Sequence, residues 1–260
     1  MDHHHRRSIS VFVLLSIIAI IYAHERTIVH EVQTPIVATH AVQPEVIIHG
    51  DRNKKHVTFT FDGGEGNQSA EAILHVLAKH HVTGTFFLTG KWIGRNQDMV
   101  KRMKAEGHEI YNHSFDHPHF TELNTEEIAT QLRRTDIIFE ALTGSSTRPY
   151  FRPPYGDYDE RIVQVAAREG YHTVMWTADA GDWMESEGYT ADHVRARIMA
   201  AVQPGAIILM HIGDTITGSI LDEVFTTLEA QGYQLTSLSQ AVPTTPKLDT
   251  AQPFTVKIGW

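Results

Sequence analysis

Val57-Thr58-Phe59-Thr60-Phe61-Asp62-Gly63-Gly64 decides the fold: five β-branched or aromatic residues in a row, then a carboxylate, then two glycines. A run that is unbroken in this way reads as a strand covered on both faces, the habit of a parallel sheet. Outward from it the pattern recurs. Gly84 to Leu88, Tyr171 to Trp176 and Ala206 to Met210 are further runs of strand length. Between them lie helical stripes: Ile73, Leu74 and Leu77 behind a Ser69 cap, then Met99, Val100 and Met103, and later Val224, Phe225 and Leu228. Glu106-Gly107-His108, Glu169-Gly170-Tyr171 and Gln231-Gly232-Tyr233 each set a glycine where a helix ends on a left-handed residue before a new strand. Thr125 with Glu126 and Glu127, and Thr190 with Asp192, open two more helices with acids near the positive end of the dipole. Repeated strand–helix units predict an α/β body that closes as a barrel. Its chemistry then gathers at the C-terminal ends of the strands, where Asp62, Asn112 with His113, Arg152, Asp179 and His211 all fall.

The flanks differ in kind from this body. Arg6 and Arg7 precede an almost unbroken apolar run from Ile9 to Ala23, after which His24, Glu25 and Arg26 turn the chain polar. Residues 1–26 therefore read as a signal peptide or an N-terminal membrane anchor, with the following domain extracytoplasmic (secreted, periplasmic or held at the membrane facing outward). Residues 27–54 are a lead-in, 55–242 the catalytic domain, and 243–260, with Pro243, Pro246 and Pro253, a C-terminal tail. The chain has no cysteine, which excludes disulfides and thiol chemistry. A net charge of −9 without a basic stripe argues against nucleic acid as partner, and no glycine-rich loop has phosphate-cradle spacing.

Five segments carry the chemistry: Thr60-Phe61-Asp62-Gly63-Gly64, His113-Ser114-Phe115-Asp116-His117, Arg152-Pro153-Pro154-Tyr155-Gly156, Asp179-Ala180-Gly181-Asp182-Trp183 and Leu209-Met210-His211. In this order they resemble the five motifs of the polysaccharide deacetylases, the NodB-type domains of carbohydrate esterase family 4, whose fold is a distorted (β/α) barrel. The resemblance covers roughly residues 55–240. It implies a hydrolase that removes N-acetyl groups from amino sugars of peptidoglycan, chitin-like or other surface polysaccharide. It also implies roles. Asp62 is the expected general base, with Arg152 paired to it, and His211 the expected acid, with Asp182 beside it. His113 and His117, four apart and able to share one face, are the expected ligands of a divalent metal, zinc by default, with cobalt or nickel also suited to imidazole. The N–H of Tyr155, freed by the two prolines before it, is the expected oxyanion donor, and Trp183 and Leu209 the walls of the acetyl pocket.

One position departs from the pattern. Most members of the family carry a second aspartate directly after the base as third metal ligand; here that position is Gly63. Water could fill the gap, Glu65 could reach in, or Asp62 could lean onto the metal. The other motif residues are intact, so hydrolysis leads. A carbohydrate-binding homologue without turnover and an acetyl esterase or small-amide hydrolase are the alternatives. With 18 histidines in the chain a pair four apart is unremarkable by itself, and His119, after Pro118, reads as loop structure.

Overall fold

In the computed structural model, which describes residues 42–242, a short strand β1 (Val46–Ile47) precedes the long strand β2 (His56–Gly63). Side chains of β2 alternate between two environments, as the pleat requires. Phe59 and Phe61 face a layer of helices, while Thr60 and Asp62 face inward, where Arg152 binds both. The helix α1 (Ala70–Lys79) leads to β3 (Thr85–Leu88), and α2 (Gly90–Arg95) and α3 (Gln97–Ala105) lead to β4 (Glu109–Asn112). The long α4 (Thr125–Thr143) is followed by β5 (Tyr150–Phe151), α5 (Glu160–Arg168), β6 (His172–Val174) and β7 (Ala178–Asp179). Then come α6 (Ala191–Ala201), β8 (Ala206–His211), α7 (Ile216–Ala230), β9 (Gln234–Leu235) and α8 (Leu238–Ala241).

The sheet order is β1-β6-β5-β4-β3-β2-β8-β7, with β9 on the end of β2, and every pairing among the described residues is parallel. This is the expected distorted (β/α) barrel. Between sheet and helices lies the main core, which joins Phe59, Phe61, Phe86, Ile208 and Met210 to Leu74, Leu77, Val224 and Phe225. Inside, Phe87, Tyr111, Tyr150, Val174, Ile207 and Leu238 form a second core cluster, with Phe87 the register partner of Asp62.

Local outcomes follow the expected signals with some shifts. Gly107, Gly170 and Gly232 have φ of +84°, +84° and +80°, as predicted for helix ends before strands. The cap of α4 is Asn124, one residue before the expected Thr125, in a capping box with Glu127. Ser69 precedes α1 but caps no N–H of it; its hydroxyl instead donates to Asp214 O (2.6 Å) and accepts from Gly218 N (2.9 Å). β6 is shorter than Tyr171 to Trp176. β1 lies inside the 27–54 lead-in and pairs with β6, so the sheet begins ahead of residue 55. The expected signal or anchor segment and the 243–260 tail lie outside the described residues. Among the described residues no helix is long and apolar enough to cross a membrane.

Candidate active site

Asp62 and His211 are register partners at the ends of β2 and β8, so two inward side chains stand side by side at the same depth. Each is held by a buried group of opposite charge. Arg152, fully buried on the segment after β5, donates through Nη1 to Asp62 Oδ1 (2.6 Å) and to Thr60 Oγ1 (2.9 Å), and through Nη2 to Met175 O (3.2 Å). Its guanidinium lies 4.2 Å over the Phe87 ring. Asp182, equally buried, accepts from His211 Nδ1 (2.9 Å) and Trp183 N (3.1 Å) on Oδ1, and from His211 N (2.6 Å) and Thr217 Oγ1 (2.5 Å) on Oδ2. Burial works against the His211 imidazolium. The hydrogen bond and charge of Asp182, aided by Asp62 and Asp179, overcome it and push the pKa up to about 9. Burial opposes the Asp182 charge as well, yet the His211 hydrogen bond holds its carboxyl below the usual range. With Nδ1 given to Asp182, His211 turns Nε2 to the cleft.

The histidine pair comes together by a turn and not along a helix face. Ser114 and His117 sit at φ of +69° and +64°, and Ser114 Oγ accepts from His117 N (3.0 Å), which folds the segment back until the two rings are 4.9 Å apart. His113 Nδ1 donates to Arg152 O (2.8 Å), leaving Nε2 free of a proton and 3.5 Å from Asp62 Oδ2. Burial holds His113 below the ordinary histidine range against the pull of Asp62, and burial with His113 beside it pushes His117 down to about 4. Both imidazoles are therefore neutral near pH 7, the state in which they bind metal.

Strand alternation sets the side that position 63 faces. A Cβ on Gly63 would lie 2.6 Å from Leu88 Cδ2 and 3.0 Å from Ile212 Cδ1, among the side chains of the main core, whereas one on Gly64 would lie 3.6 Å from the His117 ring. Among the described residues no trio of His, Cys, Asp or Glu is arranged to hold a metal. The residues that could hold a divalent ion here are His113 and His117, whose rings are 4.9 Å apart.

The cleft above these residues, about 1060 Å³, takes in all of Asp62, His113, His117, Tyr155, Trp183, Leu209 and His211. Tyr155 is in the left-handed region (φ +59°), its ring edge-on to His117 and stacked 4.1 Å from His119. The neighbouring N–H groups of Gly156 and Asp157 close on Pro153 O and Pro154 O. Tyr155 and Trp183 are 61% and 50% exposed and form an aromatic rim to the cleft. Trp183 is fixed by its Nε1 donating to Asp179 Oδ2 (3.1 Å). Sequence reasoning gave no role to Thr60, Trp176 or Thr217. Asp214-x-x-Thr217 at the start of α7 is a helix-capping pattern, which signals structure and hides a link to Asp182.

Comparison with known proteins agrees with this geometry. The polysaccharide deacetylase family matches residues 49–174. A peptidoglycan-N-acetylglucosamine deacetylase of Bacillus cereus is 33% identical over 193 residues, 73% of this chain and 69% of its own. The structure of Bacillus subtilis PdaA, a family 4 carbohydrate esterase, superposes with a TM-score of 0.72 at 34% identity, covering 76% of this chain and 84% of that one. A CE4 family pseudoenzyme from Bacillus anthracis superposes equally well, at 0.72 and 35% identity over 77% of this chain and 69% of its own. A carbohydrate esterase and a pseudoenzyme therefore share this frame, and it is as one more member that the present chain belongs to the polysaccharide deacetylases, carbohydrate esterase family 4.

Proposed function

We propose that the protein hydrolyses the acetamide of N-acetylated amino sugars in peptidoglycan or a related surface glycan, with Asp62 as general base and His211 as general acid. The observation that carries this is the side-by-side placement of the two on β2 and β8, each backed by a buried counter-charge. Asp62 Oδ1 is held by Arg152, so Oδ2 takes the proton of a water as its oxygen bonds to the acetyl carbon. The oxyanion that forms is met by the N–H of Tyr155 at the cleft wall, while Leu209 and Trp183 enclose the methyl. His211 Nε2 then gives its proton to the sugar nitrogen as the C–N bond breaks, and acetate and a free amine leave. Asp182 keeps His211 charged until that moment. A divalent metal on His113 and His117 would supply Lewis-acid polarisation and a more acidic water.

The same reading puts the domain outside the cytoplasm, where such polymers lie, and rests for that on Arg6, Arg7 and the apolar run to Ala23. Acetate release from N-acetylglucosamine oligomers and from intact peptidoglycan, measured with zinc and with chelator, tests the proposal. Zinc-dependent release that falls on the order of 100-fold or more in Asp62→Asn is the expected result. Gly63 and the likeness to a pseudoenzyme favour one second reading, a glycan-binding protein without turnover. No acetate from either polymer, with oligomer binding unchanged in an Asp62→Asn, His211→Ala double variant, decides for it.

A further inference from the structure

Behind the His211–Asp182 pair stands a second carboxyl group that the mechanism above does not use. Asp214, 7% exposed, accepts from Thr217 N through Oδ1 (2.7 Å), and its Oδ2 lies 3.3 Å from Thr217 Oγ1. Thr217 is fully buried and its hydroxyl is also 2.5 Å from Asp182 Oδ2. A hydroxyl has one hydrogen. Asp182, which already accepts three N–H groups, can only accept, so that hydrogen belongs to the 2.5 Å contact. Thr217 then shows Asp214 a lone pair. Two oxygens at 3.3 Å that both lack a hydrogen repel, whereas a proton on Asp214 makes the same contact a hydrogen bond.

The charges around Asp214 point the same way. From the turn after β7 it meets Asp182, from β8 His211, and Glu65 and Glu185 line the same cleft; no lysine or arginine among the described residues lines it. His211, the cation that faces it among the described residues, is matched by Asp182. Burial, then the Asp182 charge, with a hydrogen bond to the Asp182 carboxylate adding to both, push the Asp214 carboxyl up to about 7 against the Thr217 N–H and His211.

We infer that Asp214 is a positioning residue that is the neutral acid below neutral pH, donating to Thr217 so that Thr217 donates to Asp182, which fixes both the rotamer and the charge of the group that steers His211. This rests on the acid role proposed for His211. The chain of hydrogen bonds runs Asp214 to Thr217 to Asp182, with the imidazolium at its end. Were Asp214 ionised, a second negative charge would face His211, which would hold its proton more tightly and release it less readily to the leaving amine.

The test is an NMR titration of the full chain that follows the His211 imidazole and the Asp214 carboxyl carbon from pH 5 to 10. In the wild type the Asp214 carbon should titrate near neutrality, and His211 should show a small step there ahead of its own alkaline one. Asp214→Asn keeps a cap for Thr217 N and an N–H for Thr217 Oγ1 but carries no charge, so the first His211 step should vanish. A wild-type Asp214 carbon already ionised at pH 5, or a His211 step unchanged in Asp214→Asn, overturns the inference. In Thr217→Val the Asp214 midpoint should move, since its acceptor is lost, and Thr217→Ser should restore it; equal midpoints in all three would also overturn it. None of these readings needs a substrate, so failure of the deacetylase proposal shows separately, as absence of acetate.

Discussion

Arg152 has no exposed surface, and its guanidinium touches Asp62, Thr60, Met175 O and the Phe87 ring at once. Burying such a pair contributes little net stability, but removing one partner strands the other charge. Arg152→Met should therefore destabilise the protein by about 3–5 kcal/mol in denaturant unfolding, and Arg152→Lys should recover only part of this, because one ammonium cannot span the same acceptors. Equal stability of wild type and Arg152→Met would mean that Asp62 finds other support. His211 makes a prediction in pH. Its folded-state pKa, about 9, is above the unfolded value, so its contribution to stability is full below about pH 6.5 and is lost as pH rises through about 9. Its acid form persists over the same range, which sets the alkaline limb of kcat/KM near 9. In Asp182→Asn the main raising cause is gone, burial prevails, and that limb should move by more than a unit to lower pH; an unmoved limb would assign it to another group.

Elements matter through where they cross. The loop from β2 to α1 and the loop from β8 to α7 are tied together by Ser69 N to Ile212 O and by the Ser69 hydroxyl to Asp214 O. At the crossing Gly213 has no room for a side chain: a Cβ would lie 2.1 Å from Glu65 O, a backbone atom that can yield only if the loop moves. Gly213→Ala should thus separate the two loops and shift His211 against Asp62, with kcat falling on the order of 10-fold or more while KM changes little, given how steeply such geometry enters the rate. A wild-type kcat in this variant would show that the crossing is slack. Nothing in the sequence announces this contact, because it joins positions that no local pattern relates. By contrast β2, β3 and β8 are legible as buried runs, and three helix ends as glycines, since burial on both faces and a left-handed φ each leave a mark on composition.

At the scale of the whole molecule, what escapes the sequence is whatever is too short or too polar to repeat. β5, β7 and β9 have two residues each and no periodicity, and β4 mixes Glu109 and Asn112 with Ile110 and Tyr111. The five site motifs converge as expected, yet the side that Gly63 faces becomes visible only once β2 has neighbours. β1 is the case with the largest consequence. Val42 N bonds Ala167 O, Thr173 N bonds Glu45 O, Met175 N bonds Ile47 O and Gly50 N bonds Gly205 O, while Ile47 is buried in the inner core. Met175 in turn offers Arg152 its carbonyl, so the strand that the lead-in adds braces the segment on which the base's partner rests. At about 1 kcal/mol for each such hydrogen bond and about 2 for the isoleucine, a chain starting at residue 55 should be roughly 3–6 kcal/mol less stable than one starting at 42. For a domain of this size that is a Tm lower by roughly 10 °C or more. Because the loss is sited beside Arg152, acetate release should fall further than the fraction of folded protein does. Matching melting curves for the two chains would show instead that the sheet is complete without β1 and that the domain begins, as a sequence boundary at 55 has it, with β2.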